Sequence, residues 1–256
     1  MQNGLYVATS GMLMQQNRVD TISNNLANMN NNGFKRDRAV FSVFRPDDKR
    51  YPQNFIRETH YNKTINTAVL LHENSANFEM GPIKETGNTF DFAIKQENAF
   101  FAIDTPWGIR YTRDGAFTLN ENGELVTAEG YHVMSRNAQG TANIVIDQNA
   151  RFEVDKTGTI YANGIAGDRL MIVEFDKNDL RQLQKVGRNQ FAAVDIEPMD
   201  ADNAGVRQGY VEGANVDPIA EMVRMIDASR GYEMYAKVVQ THDEISQKAA
   251  SQILTQ

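Results

Sequence analysis

The side chains best equipped for chemistry are few and scattered. The four histidines, His60, His72, His132 and His242, do not fall at the spacings that gather ligands around one metal ion. They read as surface or internally satisfied histidines. No nucleophile elbow, zinc-protease helix, phosphate loop or dinucleotide fingerprint occurs. The chain has no cysteine, which excludes disulfides, thiolate zinc sites and a cysteine nucleophile. Asn120-Glu121-Asn122-Gly123 and Asp155-Lys156-Thr157-Gly158 have a faint likeness to calcium loops. Neither carries the later bidentate acid at the required offset, so both read as hairpin turns. Trp107, Tyr111 and Phe117 could form an aromatic binding platform, although packing in a β core is the commoner use of such residues. Carboxylates are plentiful, but a pair able to hydrolyse a glycoside is defined by its separation in space. The expectation is therefore no catalytic residue, no metal and no cofactor. A carbohydrate-acting enzyme with its site in the central region stands as the rival reading.

The elements that would position any site are clearer than the site. All six prolines (Pro46, Pro52, Pro82, Pro106, Pro198 and Pro218) lie between two proline-free ends. At the first end Leu5, Ala8, Met12, Gln15, Val19, Ile22, Leu26 and Met29 recur in alternating steps of three and four, with Gln15 the one polar member. This is the pattern of a helix with a coiled-coil-like seam, roughly 40 Å long at 1.5 Å per residue. Asn24-Asn25 and Asn28 to Asn32 are poor helix formers, and Gly33 suits the left-handed position that closes a helix. Phe34 can fold back on the last turn. Lys35, Arg36 and Arg38 read as a solvated basic tail facing the carbonyl end of the dipole.

At the other end Asp217-Pro218 is a strong helix start, with an acidic cap and proline at the first helical position. Ile219, Met222, Val223 and Ile226 form an apolar stripe that continues through Tyr232, Tyr235 and Val239. A helix running to the end of the chain would be roughly 55 Å long, a length suited to a bundle or an assembly. Gly231 interrupts it at a cost of about 1 kcal/mol, which close packing or a hinge would explain.

Between the helices the pattern changes. Residues 39–80 show little periodicity and read as an extended connector. From residue 81 alternating runs appear: Phe90-Phe92-Ile94, Phe100 to Ile103, Arg110 to Leu119, Phe152 to Val154, Thr159 to Tyr161, Leu170 to Phe175 and Gln190 to Val194. Asn122-Gly123 and Thr157-Gly158 punctuate them as turns. The expected fold class is α+β: long terminal helices forming a coiled-coil-like helical domain, an extended connector, and an all-β domain in the middle. The expected boundaries are 1–38, 39–80, 81–207 and 208–256.

Composition removes whole classes. A formal charge of -7 and a pI near 5.2 argue against nucleic acid as the main partner, since phosphate binding needs a basic field. No run of about 18 apolar residues suggests membrane insertion. The first residues lack the basic start, apolar core and small-residue site of a cleaved secretory signal.

Asn24-Asn25-Leu26-Ala27-Asn28 followed by Asn32-Gly33-Phe34-Lys35-Arg36 resembles the N-terminal signature of the bacterial flagellar rod and hook axial proteins, with Asn31 where that family usually has Thr or Ser. The resemblance continues in Asp91-Phe92-Ala93-Ile94, Ala99-Phe100-Phe101, Tyr111-Thr112-Arg113-Asp114-Gly115 and Gly123-Glu124-Leu125-Val126. It returns in Gln208-Gly209-Tyr210-Val211-Glu212, Asn215-Val216 and Arg230-Gly231-Tyr232-Glu233. It thus covers nearly the whole chain. Glu212 to Pro218 is closer to the proximal-rod type, while Gln208-Gly209-Tyr210 is shared with the distal-rod type.

The resemblance implies a structural subunit of the basal-body rod, made in the cytoplasm, exported without a cleaved signal by the flagellar type III apparatus, and polymerising helically in the periplasmic space. Implied partners are copies of itself, other rod proteins, the export apparatus and surrounding ring proteins. Leu5, Met12, Val19, Ile22, Leu26, Met222, Ile226, Tyr235 and Val239 are the expected subunit-interface residues. Asn25, Asn28, Gly33 and Phe34 are expected to shape the helix exit. The alternatives are a distal-rod or hook-type subunit, the carbohydrate-acting enzyme, and a closed coiled-coil adhesin or binding module.

Overall fold

The computed structural model describes residues 2–43, 69–137, 140–146, 151–187 and 189–253. Most of the expected connector, with Phe44, Tyr51, Phe55 and Tyr61, lies outside them. The described residues form mainly β structure, with one helix near each end: α1, Gln2–Ala27, and α2, Pro218–Ile253. They fall into two compact units. One holds residues 1–27, 37–75 and 217–256; the other holds 28–36 and 76–216.

In the first unit α1 ends at Ala27, just past Asn24-Asn25; residues 28–36, in the second unit, begin with a turn in which the Asn31 N–H donates to Asn28 O. The start of α2 is capped by Asp217, whose Oδ1 accepts from the N–H groups of Ile219 (3.0 Å) and Ala220 (3.3 Å). Strands Asp37–Val43 and Val69–Ala76 pair beside the helices, and the Arg18 guanidinium lies over the Phe41 ring.

The expected coiled-coil-like helical domain is corrected here. The two helices pack on each other with part of each expected apolar row left facing solvent. They approach where side chains are small: Gly11 lies against the Tyr235 ring and Gly231 against the Gln15 side chain. Ala8, Ile22 and Ala228 are buried, but Leu5, Met222 and Ile226 face solvent, the last two at 50% and 52% exposure. The stripe Ile219–Met222–Val223–Ile226 is therefore an outer face of α2. Period alone marks an apolar row; it does not say which of two rows the neighbouring helix covers. The fold class becomes a mainly β chain with single terminal helices.

In the second unit the central strand is Ala99–Thr105. It pairs antiparallel with Gly108–Thr112 on one side, and with His132–Asn137 and Ile172–Glu174 on the other. Its alternation is buried on both faces. Phe101 and Ile103 enter a cluster with Phe92, Phe117, Leu125 and Phe152, while Phe100 and Ala102 enter a second with Tyr111, Phe175 and Phe191. A strand covered twice reads as a continuous apolar run. The same sheet continues through Ile165–Leu170, Thr159–Ala162 and Phe152–Val154. Asn163-Gly164, with φ of 52° and 82°, makes the turn between Thr159–Ala162 and Ile165–Leu170.

The expected single strand from Arg110 to Leu119 is broken. Strands Gly108–Thr112 and Thr118–Leu119 are separated by Arg113 to Phe117, because Arg113 is drawn into a buried ionic cluster and Asp114 accepts the Ala116 N–H in a tight turn.

Candidate functional site

Glu212 is the centre of this cluster. It stands in strand Tyr210–Glu212, which pairs with Ile83–Glu85. Its carboxylate is enclosed with two cations: Lys35 Nζ lies 2.7 Å from Oε1, and Arg113 Nη2 lies 2.6 Å from Oε2. The three side chains are at most 1% exposed. Arg113 Nε also donates to Oε2 at 2.7 Å, and the Gly81 N–H donates to Oε1 at 2.8 Å.

Two cations facing one carboxylate leave an excess positive charge, which backbone dipoles absorb. Arg113 donates to the carbonyls of Ile94, Gln96 and Ala99, and Lys35 to those of Phe78 and Glu79. Burial pulls the Lys35 ammonium below its ordinary range, with Glu212 opposing and the Arg113 charge adding to the fall. Burial likewise lowers Arg113, again opposed by Glu212. The expected solvated basic tail is thus corrected at its first residue: Lys35 is 1% exposed, since a buried carboxylate and two carbonyls offer its ammonium more than the helix end does.

The segment carrying Lys35 is laced down on every side. The Gly33 N–H donates to Glu212 O (2.7 Å), and the Arg36 N–H to Asn215 Oδ1 (2.7 Å). Asn189 Nδ2 donates to Asn32 O, and Lys185 Nζ donates to Lys35 O while lying 3.9 Å from the Phe34 ring centroid. Gly33 has φ of 65°, and a Cβ there would fall 2.3 Å from Asp114 N. Both the conformation and the close backbone approach require glycine. Phe34 is buried at 2% exposure. In the first unit, Asn25 Nδ2 donates to Asp37 O and Asn25 Oδ1 accepts the Asp37 N–H, closing the loop across residues 26–36. Asn28 accepts from Asn31 through both its backbone carbonyl and Oδ1.

The structure sorts the expected interface residues into two groups. Ile22 is buried, and Met12, Val19, Leu26, Tyr235 and Val239 are half-buried; Leu5, Met222 and Ile226 are exposed. Residue type alone does not single out Lys35, Arg113, Glu212 or Asn215, because each reads alone as an ordinary surface polar residue. The available signal was their place in the motif blocks around Phe34, Tyr111, Gln208 and Asn215. The aromatic platform does not assemble: Tyr111 and Phe117 are buried, whereas Trp107 is 71% exposed. The calcium-like loops use their oxygens internally. Asn120 Oδ1 accepts the N–H groups of Asn122 and Glu124, and Asp155 Oδ1 those of Thr157 and Thr159. Among the described residues no His, Cys, Asp and Glu group could hold a metal ion, and no helix is long and apolar enough to cross a membrane.

Asp114, beside Gly33, gives the cluster a pH signature. Burial pushes its carboxyl up to about 6; the Ala116 N–H opposes this, while Glu129 and Asp91 add to it. Its unfolded value is near 3.8. The folded state therefore binds this proton more tightly, and the contribution to stability is lost as pH rises from about 4 to about 6. Asp114→Asn should flatten that loss, which is at most about 3 kcal/mol. Urea unfolding of both proteins at pH 4 and pH 7 reads the difference.

Comparison with known proteins finds three matched segments. Residues 5–35 match a family described as flagella basal body rod protein. Residues 94–162 match the flagellar hook protein FlgE/F/G D1 domain, and residues 207–253 the flagellar basal body rod FlgEFG protein C-terminal region. Lys35, Arg113 and Glu212 fall one in each segment. The flagellar basal-body rod protein FlgF of Mesorhizobium japonicum is 34% identical over 97% of both chains. FlgF of Rhizobium meliloti is 35% identical over 91% of this chain and 90% of its own. The rod protein FlgG of Bacillus subtilis is 32% identical over 97% of this chain and 98% of its own.

Proposed function

The chain belongs to the flagellar basal-body rod protein family, and from that premise we propose how its fold serves a structural subunit of the rod. It is a non-enzymatic component of the bacterial flagellar basal body, and it assembles with other rod and hook-basal-body components.

The observation that carries the proposal is the outer face of α2. Ile219, Met222, Val223 and Ile226 lie within about 100° of one another around the helix, each at least half exposed. Alpha1 already covers another side, so these residues form a second apolar row, the kind of surface that seeks a partner. Copies of the chain and neighbouring rod proteins cover it, in head-to-tail contacts that extend rather than close. Leu5, Met222 and Ile226 meet neighbouring subunits. Ile22, Met12, Val19, Leu26, Tyr235 and Val239 hold the helices that present them. Asn25, Asn28, Gly33 and Phe34 shape the exit from α1. The type III apparatus exports the chain and the rod stands in the periplasmic space. The proximal rod is the favoured place, supported by the segment Glu212 to Pro218, with the distal rod second.

Hydrogen exchange tests this reading. Amides of residues 219–245 should exchange in the isolated protein and become at least a hundredfold slower in assembled rods. Equal exchange in both states would remove α2 from the assembly contacts.

A further inference from the structure

We infer that Gln15, Gly231, Tyr235 and Gly11 form a steric lock that holds the two terminal helices in a single antiparallel register. This goes beyond the subunit reading and stands whether or not that reading holds.

On consecutive turns the two helices exchange a large side chain for a missing one. The Tyr235 ring of α2 occupies the space over Gly11 of α1; a Cβ on Gly11 would fall 2.6 Å from its Cε1 and Cζ. One turn later on α1, and one turn earlier on α2, the roles reverse. The Gln15 side chain occupies the space over Gly231, and a Cβ there would fall 2.9 Å from its Cδ and Nε2. An added methyl at either glycine makes its neighbour move: the Tyr235 ring has to leave its place over Gly11, and the flexible end of Gln15 has to swing away from Gly231. Sliding the helices by one turn sets Tyr235 against Gln15 or Val7, and puts Gln15 against Tyr235 or Asp227. No such shift returns both large residues to glycine.

Gln15 is the polar exception in the α1 period, and its Oε1 is shut off from solvent without a hydrogen-bond partner among the described residues. An unpaired buried carbonyl is unfavourable. A polar residue kept at such a position specifies register at a cost in stability. Gly231 has the same logic from the other helix. In a helix interior it is poorer than Ala by about fivefold in the folding equilibrium, and the position against Gln15 explains why it stands there.

The absence of cysteine allows a direct test in the full chain. Continued by one turn, the observed register sets Val19 level with residues 227 and 228. A Val19→Cys with Ala228→Cys pair should therefore oxidise at least tenfold faster than Val19→Cys with Tyr232→Cys. With Gly11→Ala and Gly231→Ala added, that preference should fall below threefold. The sign of a second measurement is also set. Helix propensity alone predicts that Gly→Ala slows amide exchange. Gly231→Ala and Gly11→Ala should instead speed it at least fivefold in both helices. Gly4→Ala, at a position with nothing within 4 Å of the added methyl, should not speed it. Adding Gln15→Ala to Gly231→Ala should bring exchange back to within twofold of Gln15→Ala alone. An unchanged cross-linking preference, or slower exchange in Gly231→Ala, overturns the lock.

Discussion

Glu212→Gln should destabilise the β unit by about 3–5 kcal/mol, the cost of leaving buried charge uncompensated. The substitution keeps the shape of the side chain and one acceptor oxygen. It removes the only negative charge that the described residues place within hydrogen-bond distance of Lys35 Nζ and Arg113 Nη2, at 2.7 and 2.6 Å, and turns an amide N–H2 toward one of two cations. Neither cation can reach water, since both side chains are 0% exposed. Lys35→Met should cost less than Glu212→Gln. It leaves the Arg113–Glu212 pair intact, while the Phe78 and Glu79 carbonyls and one carboxylate oxygen lose a donor. Removing all three charges together is no simple repair, because the Ile94, Gln96 and Ala99 carbonyls would then lose the Arg113 donors. The measurement is urea unfolding followed through the β signal, with amide exchange in Ala99–Thr105 as a local check. A loss below about 1 kcal/mol for Glu212→Gln would mean that the charges are far better solvated than their burial implies.

Ile226→Asp should abolish rod assembly while leaving the isolated protein folded. Ile226 is 52% exposed, so the substitution touches no packed core and should change monomer stability by no more than about 0.5 kcal/mol. In an assembly that covers the outer face of α2, the same change removes about 1.5–3 kcal/mol of apolar burial and forces a carboxylate out of water, which costs several kcal/mol more. A contact repeated from subunit to subunit would compound that loss along the rod. Ile22→Asp makes the contrast. Ile22 is 8% exposed, and a charge there should loosen α1 itself before any neighbour is met. Sedimentation of the purified variants, motility of cells carrying them and far-UV circular dichroism separate the cases. Normal incorporation of Ile226→Asp into rods would exclude this face from the interface.

The two terminal helices were legible because their signals are local: missing prolines, a three-and-four step, an asparagine-rich stop at Asn28 to Gly33, and a cap at Asp217-Pro218. Strand Ala99–Thr105 was legible for the same reason. Which side of each helix meets the other was not legible. Met222 and Ile226 share a period with the residues that face α1, and a period carries no information about which side is occupied. Arg113 was hidden inside an alternating run, where its neighbours argued for a strand continuing to Leu119. The break there is imposed by Glu212, 99 positions away in the chain.

Local chemistry therefore decided where helices start and stop, which turns need glycine, and that no thiol chemistry is available to this chain. Its motif blocks also carried the family, since each block has its own spacing and can be read without its partners. Folding decided why those blocks exist. Lys35, Arg113 and Glu212 are solvated polar residues in any short window, and they become a single unit only where three distant segments exclude water together. Burial and the pairing of charges are properties of what surrounds a side chain, and for these residues the surroundings come from elsewhere in the chain.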